Sequence, residues 1–176
     1  MTESLTKSRI IPGLSAAGAY VSTVLIGNML VTRFGVVPVG FGLMGPAGVF
    51  MIGPALVLRD GVQYLIGKRA ALVALAVGAA LSYFVAAPAV ATASAAAFLV
   101  SEMADFALFT WIAPRWTRAV LVGGMVGLVL DSIVFLSLAF GSMEFLPGQV
   151  IAKAYGVVLA SAVIGYRRRV MAVRPA

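Results

Sequence analysis

The 176-residue sequence contains no cysteine and no histidine. Without cysteine there is no disulfide framework, no thiol nucleophile and no thiolate metal site. Without histidine the usual general base is missing, and zinc loses its commonest protein ligand. Ser-His catalysis is excluded, and with it most hydrolase chemistry, including proteolysis inside a membrane by a Ser-His pair. The chain is therefore expected not to be an enzyme and to hold no metal or cofactor. Charge is scarce as well: 11% of the residues are charged and 62% are hydrophobic, where a soluble domain carries about a quarter charged residues.

What is present is apolar sequence in runs of membrane-spanning length, about 20 residues each. They fall at residues 10–32, 43–66, 70–87, 93–113, 119–140 and 146–166. The breaks are glycine- and proline-containing or charged: Gly35 to Gly42, Gly67-Lys68-Arg69, Pro88, Pro114-Arg115-Trp116, and Gly141 to Gly148. The second run is itself interrupted by Pro46, Gly53 and Pro54. The first run is too long for the apolar region of a cleaved signal peptide and reads as a retained span. The expected fold is all-α, a single transmembrane domain over residues 1–176 made of a bundle of about six helices.

The net charge of +7 does not point to nucleic acid, because the basic residues sit in short segments between apolar runs rather than on one polar face. Lys7, Arg9, Lys68, Arg69, Arg115, Arg118, Arg167, Arg168, Arg169 and Arg174 flank one set of run ends, whereas the alternate ends hold only Arg33. Basic residues stay on the cytoplasmic side of a membrane, so both termini are expected in the cytoplasm. Tyr64, Trp111, Trp116 and Tyr166 fall near the same boundary, as interfacial anchors do.

Six ionisable residues lie inside the runs: Arg59, Asp60, Glu102, Asp105, Asp131 and Lys153. Each costs on the order of 3 kcal/mol near a helix centre, so such residues face protein, water or one another. Two cations stand against four carboxylates. One reading pairs Arg59 with Glu102 or Asp105 and Lys153 with Asp131 as ion pairs that fix packing, but that leaves two carboxylates over. In the fourth run Ser94, Phe98, Ser101, Glu102 and Asp105 recur at three- and four-residue spacing and share one helical face. At 1.5 Å per residue, Glu102 and Asp105 lie about 12 to 18 Å below the outer end, near mid-membrane. Asp131 is at similar depth, and Gln149 lies one turn above Lys153 on the sixth run. A convergent cluster at the midplane suits a carrier better than a channel, which needs rings of charge around a symmetric pore. Spans two and five carry similar strings, Leu56-Val57-Leu58-Arg59-Asp60 and Leu128-Val129-Leu130-Asp131-Ser132. An inverted repeat would leave such strings, although chance also produces them in sequence this rich in Val and Leu.

The string from Ala93 to Phe106, with Ser101-Glu102-Met103-Ala104-Asp105 at its centre, resembles the fourth-span signature of the queuosine-precursor transporters, also called the vitamin uptake transporter family. Val126-Gly127, Asp131-Ser132, Phe135 and Ala139-Phe140-Gly141 resemble its fifth span, Gly148-Gln149 and Lys153 its sixth, Asp60 with Gly67-Lys68 the end of its second, and Asn28 the end of its first. Longer members have Ser-Glu-x-Tyr-Gly where this chain has Gln63 to Gly67, and Ser-Asn where it has Gly123-Gly124, so the chain looks like a compact branch. The resemblance implies uptake of 7-deazaguanine precursors of queuosine across the bacterial inner membrane. The expected substrate-binding residues are Asn28, Arg59, Asp60, Phe98, Ser101, Glu102, Asp105, Asp131, Ser132, Gln149 and Lys153. Expected partners are this small molecule and the lipid bilayer, without nucleic acid, and homo-oligomerisation is left open. The alternatives are a substrate-binding subunit of an energy-coupled vitamin uptake system, or a small structural membrane protein.

The orientation is testable in a chain with no native cysteine. A cysteine introduced at position 143 is expected to react with a membrane-impermeant thiol reagent from outside the cytoplasm. Labelling from the cytoplasmic side alone would invert the topology.

Overall fold

The computed structural model describes the backbone of residues 2–112, 116–156 and 158, and the side chains of residues 9–101, 103, 104, 126–156 and 158. The described chain is mostly helical. α1 (Thr2–Phe34) is followed by a small antiparallel hairpin, β1 (Val36–Gly40) and β2 (Leu43–Pro46), and a turn of 3-10 helix at Ala47–Met51. Then come α2 (Ile52–Ile66), α3 (Lys68–Val85), α4 (Pro88–Ile112) and α5 (Trp116–Phe140). A further helix, α6, runs over residues 146–156, and the rest of the sixth apolar run lies outside the described residues except for residue 158. Three helical stretches, Arg9–Phe34, Ala47–Ile66 and Lys68–Val85, are long and apolar enough to cross a membrane, and Pro88–Ser101 and Val126–Phe140 are shorter apolar stretches.

The second span differs from its sequence expectation. Residues 43–46, the start of the 43–66 run, form a strand, and regular α-helix starts only at Ile52. The cause is local. Phe41 and Gly42 both have positive φ, 52° and 72°, the backbone of a two-residue turn that twists with the strands it joins. Gly40 then pairs with Leu43, and Val36 with Pro46. Pro46, lacking an N–H, ends the ladder. Between α2 and α3 the chain turns at Gly67 alone, whose φ of +97° is a conformation that a side chain would oppose.

The interior is built from small residues and the exterior from large ones. Ala71, Ala74, Gly78 and Ser82 form the buried stripe of α3, and a Cβ at Gly78 would stand 3.2 Å from Val24 of α1. Ala91, Ala93 and Ala97 of α4 are enclosed, while Phe84, Leu99 and Met103 project outward. Lipid is as apolar as a leucine side chain, so helices in a bilayer associate by close backbone approach rather than by hiding their large residues.

The two ends of the bundle are distinct. At one, Thr32 of α1 accepts a hydrogen bond from the Ala87 amide between α3 and α4 (3.0 Å), and Val31, Val90, Phe135 and Leu136 pack with Phe140, Phe145 and Leu146. The hairpin closes this end: Val39 packs with Val49 and Ala152, and Gly45 lies on the backbone of Gly148 and Gln149. At the other end Tyr20, Val62, Ala71 and Ala74 form a cluster, Gly13 meets Ile66, and Arg9 stacks over the Tyr64 ring at 5.6 Å. Arg9, Lys68 and Arg69 thus gather at one end and the hairpin at the opposite end, as alternating loops require.

One contact shows how tight the packing is. A Cβ at Gly48 would stand 2.7 Å from the Gly27 carbonyl oxygen and 2.9 Å from Val31. Gly48→Val is expected to destabilise the protein by about 1 to 3 kcal/mol through overpacking. Gly18→Ala, on a helical face with nothing within 4 Å, should instead stabilise it by up to about 1 kcal/mol. Thermal melting in detergent measures both.

Candidate functional site

The polar interior is concentrated where α5 meets α6. Lys153, 3% exposed, lies seven residues inside the start of α6, about 10 Å along its axis. Its ammonium forms an ion pair with Asp131 Oδ2 and donates to Ser132 Oγ at 2.7 Å. Ser132, wholly buried, donates in turn to the Leu128 carbonyl at 2.8 Å. Consecutive residues on a helix point about 100° apart, so a side chain from a neighbouring helix reaches both only by ending between them. The four-carbon stem of lysine permits this while it packs against apolar neighbours. Asp131 keeps about a third of its side chain exposed. The pair therefore neutralises a cation that burial alone would make costly and leaves part of the carboxylate accessible.

Gln149 is one turn above Lys153 on the same face of α6. It is 3% exposed, and among the described residues its carbonyl oxygen has no hydrogen-bond partner.

A second polar contact joins α1 to α3. Asn28 Nδ2 donates to Ser82 Oγ at 2.9 Å, and Ser82 donates to the Gly78 carbonyl at 2.8 Å. Sequence reasoning selected Asn28 as a ligand for substrate and overlooked Ser82. The signal was there, because Ser82 continues the three- and four-residue spacing of Ala71, Ala74 and Gly78. One amide proton of Asn28 is thus committed to structure.

The remaining expected residues are more dispersed. On α2, Arg59 Nε lies 3.8 Å from Asp60 Oδ1, with side-chain exposures of 33% and 63%. A pair so long and so open contributes little. Phe98 and Ser101 are half-buried on α4, which packs along α5. The side chains of Glu102 and Asp105 lie outside the described residues, as do those of Trp111, Trp116 and Tyr166. The structure thus brings together Asp131, Ser132 and Lys153, with Gln149 adjacent. It holds Asn28 with Ser82 and sets Arg59 beside Asp60.

Comparison with known families matches residues 78–171 to the family described as "Putative vitamin uptake transporter". That segment is more than half of the chain. It runs from the second half of α3 past α6, so it includes the α5–α6 cluster and excludes Asn28, Arg59 and Asp60. No curated protein and no solved structure matches the chain.

The ion pair can be tested for its share in stability. Lys153→Met removes the cation and strands a partly buried carboxylate. It is expected to cost about 2 kcal/mol, below the 3 to 5 kcal/mol of a fully buried pair because Asp131 is partly solvated. Adding Asp131→Asn should restore some of that loss. A melting temperature unchanged by Lys153→Met would mean that the pair does not hold α5 to α6.

Proposed function

The chain belongs to the vitamin uptake transporter family, and we propose that it imports 7-deazaguanine-type precursors of queuosine across the bacterial cytoplasmic membrane. The observation that carries this reading is the buried Lys153–Asp131–Ser132 cluster, with Gln149 beside it, in an otherwise apolar part of the family-matched segment. Charged groups within spans are costly, and carriers use them for solutes. The sequence around the cluster, Asp131-Ser132 with Ser101-Glu102-x-x-Asp105, is also the most specific part of the resemblance to the queuosine-precursor branch.

The chemistry of the substrate fits these side chains. The Watson–Crick edge of a guanine-like base presents a ring N–H and an exocyclic amine, two donors that one carboxylate accepts in bidentate fashion. Glu102 and Asp105, on one helical face by their spacing, supply such carboxylates. The base carbonyl takes a donor from Arg59 or Asn28, and Phe98 offers a ring face for stacking. A 7-aminomethyl group adds a cation that offsets a second carboxylate.

Purified protein reconstituted in liposomes is expected to take up 7-aminomethyl-7-deazaguanine without partner proteins. Binding without uptake would instead make the chain the binding subunit of an energy-coupled system. Neither would leave it a structural membrane protein.

Glu102→Gln separates a binding role from a structural one. Gln keeps the shape but replaces one acceptor oxygen with a donor that opposes the N–H of the base. Leaving a buried polar group unpaired costs about 1 to 3 kcal/mol, so affinity should fall roughly tenfold or more, with little change in melting temperature. A large fall in melting temperature with unchanged affinity in the folded fraction would identify Glu102 as a scaffold residue.

A further inference from the structure

Among the described residues, the buried polar side chains settle their hydrogen bonds inside the protein with one exception. Thr23 donates to the Tyr20 carbonyl at 2.7 Å. Asn28, Ser82, Ser132 and Lys153 are bonded as described above. The carbonyl oxygen of Gln149 is fully enclosed and accepts nothing. Buried acceptors of this kind are rare in native proteins because they sacrifice their bonds to water without replacement.

Its neighbour is complementary. Lys153 is four residues on, and residues at that spacing lie one above the other on a helix. An ammonium has three N–H donors. Two of them go to Asp131 and Ser132, and among the described residues no partner takes the third. One face of α6 therefore carries an unused acceptor one turn from an unused donor. The complementary ligand edge is a donor beside an acceptor, which a flat nitrogen heterocycle supplies when a ring N–H adjoins an unprotonated ring nitrogen.

We propose that Gln149 accepts a hydrogen bond from the five-membered-ring N–H of the substrate while Lys153 donates to the adjoining ring nitrogen, so that Gln149 selects the free base over forms substituted at that N–H. The assignment rests on the 7-deazaguanine reading. In that reading the acidic side chains take the ring N–H and the amine of the six-membered ring. The N–H left over is the one on the five-membered ring, and a ring nitrogen acceptor flanks it. Strand β2 packs on the backbone of this turn of α6: a Cβ at Gly45 would stand 3.4 Å from the Gln149 backbone nitrogen, and a Cβ at Gly148 would collide with the Met44 carbonyl. A form substituted at the N–H would be rejected because the Gln149 carbonyl stays unpaired.

The test compares two ligands on two proteins. Affinities of the full chain in detergent are measured for 7-aminomethyl-7-deazaguanine and for its derivative methylated at the five-membered-ring nitrogen. Wild type is expected to prefer the unmethylated base by roughly ten- to a hundredfold, the span of one unpaired buried polar group. Gln149→Leu should lose that preference, bind the methylated base no worse than wild type does, and melt at or above the wild-type temperature. If Gln149→Leu does not fold, Gln149→Met, which keeps the length of the side chain without the acceptor, takes its place. Equal wild-type affinities for the two ligands would overturn the assignment, and so would a preference that survives in Gln149→Leu. Binding of neither ligand by wild type would overturn the substrate reading itself, and the selectivity with it.

Discussion

A lysine ammonium held between an aspartate and a serine, on helices that are otherwise apolar, is the constraint around which this structure is arranged. An ammonium in a low-dielectric interior needs a counter-charge and hydrogen-bond acceptors within reach, or it loses its charge or its burial. Asp131 and Ser132 meet that need from consecutive positions on α5. Lys153 therefore fixes both the rotation of α5 about its axis and its height relative to α6. Helix–helix packing by small residues alone tolerates sliding, because alanine and glycine surfaces are nearly featureless. A buried charge pair does not.

The other interactions act within that frame at shorter range. Asn28 with Ser82 sets α1 against α3 in the way that Lys153 with Asp131 sets α6 against α5, but through neutral groups and one hydrogen bond, worth about 1 kcal/mol. The hairpin has a different task. Its backbone pairs with itself, so it can leave the helical pattern without orphaned amides at the end of the bundle. Gly148 of α6, where a Cβ would collide with the Met44 carbonyl, lets strand β2 approach that helix closely. The Asn28–Ser82 and Lys153–Asp131 contacts both lie in the half of the bundle nearer the hairpin. Lys153 is about 10 Å and Asp131 about 14 Å from the ends of their helices on that side.

Much of this was legible in the sequence, and the residues show why. Helical segments at the apolar runs follow from length and hydropathy, because inside a bilayer the backbone must satisfy itself and helices do so locally. The breaks at Gly67, Pro88 and Gly141 were marked by residues whose backbone preferences are strong. The hairpin was not legible as strand. Val36 to Pro46 is short and apolar, periodicity cannot separate such a run from the start of a span, and the turn conformation at Phe41 is one that few residues other than glycine adopt. Asp131 and Lys153 stood out because charge is rare in spans, and their pairing was one of the arrangements their number allowed. The isolation of the Gln149 carbonyl could not be read at all. Glutamine near the end of a span is ordinary, and only the three-dimensional surroundings show that its oxygen is enclosed without a partner among the described residues.

The ion pair also bears on the kind of solute the interior can receive. Within the apolar runs the sequence places Arg59 and Lys153 against Asp60, Glu102, Asp105 and Asp131. Once Lys153 and Asp131 offset one another, Arg59 is the remaining cation in these runs against Asp60, Glu102 and Asp105. An excess of acceptors over donors in a low-dielectric region favours solutes that bring N–H groups or positive charge, and it opposes anions through both repulsion and unpaired lone pairs. In the proposed reading, a neutral or cationic, donor-rich heterocycle offsets that excess.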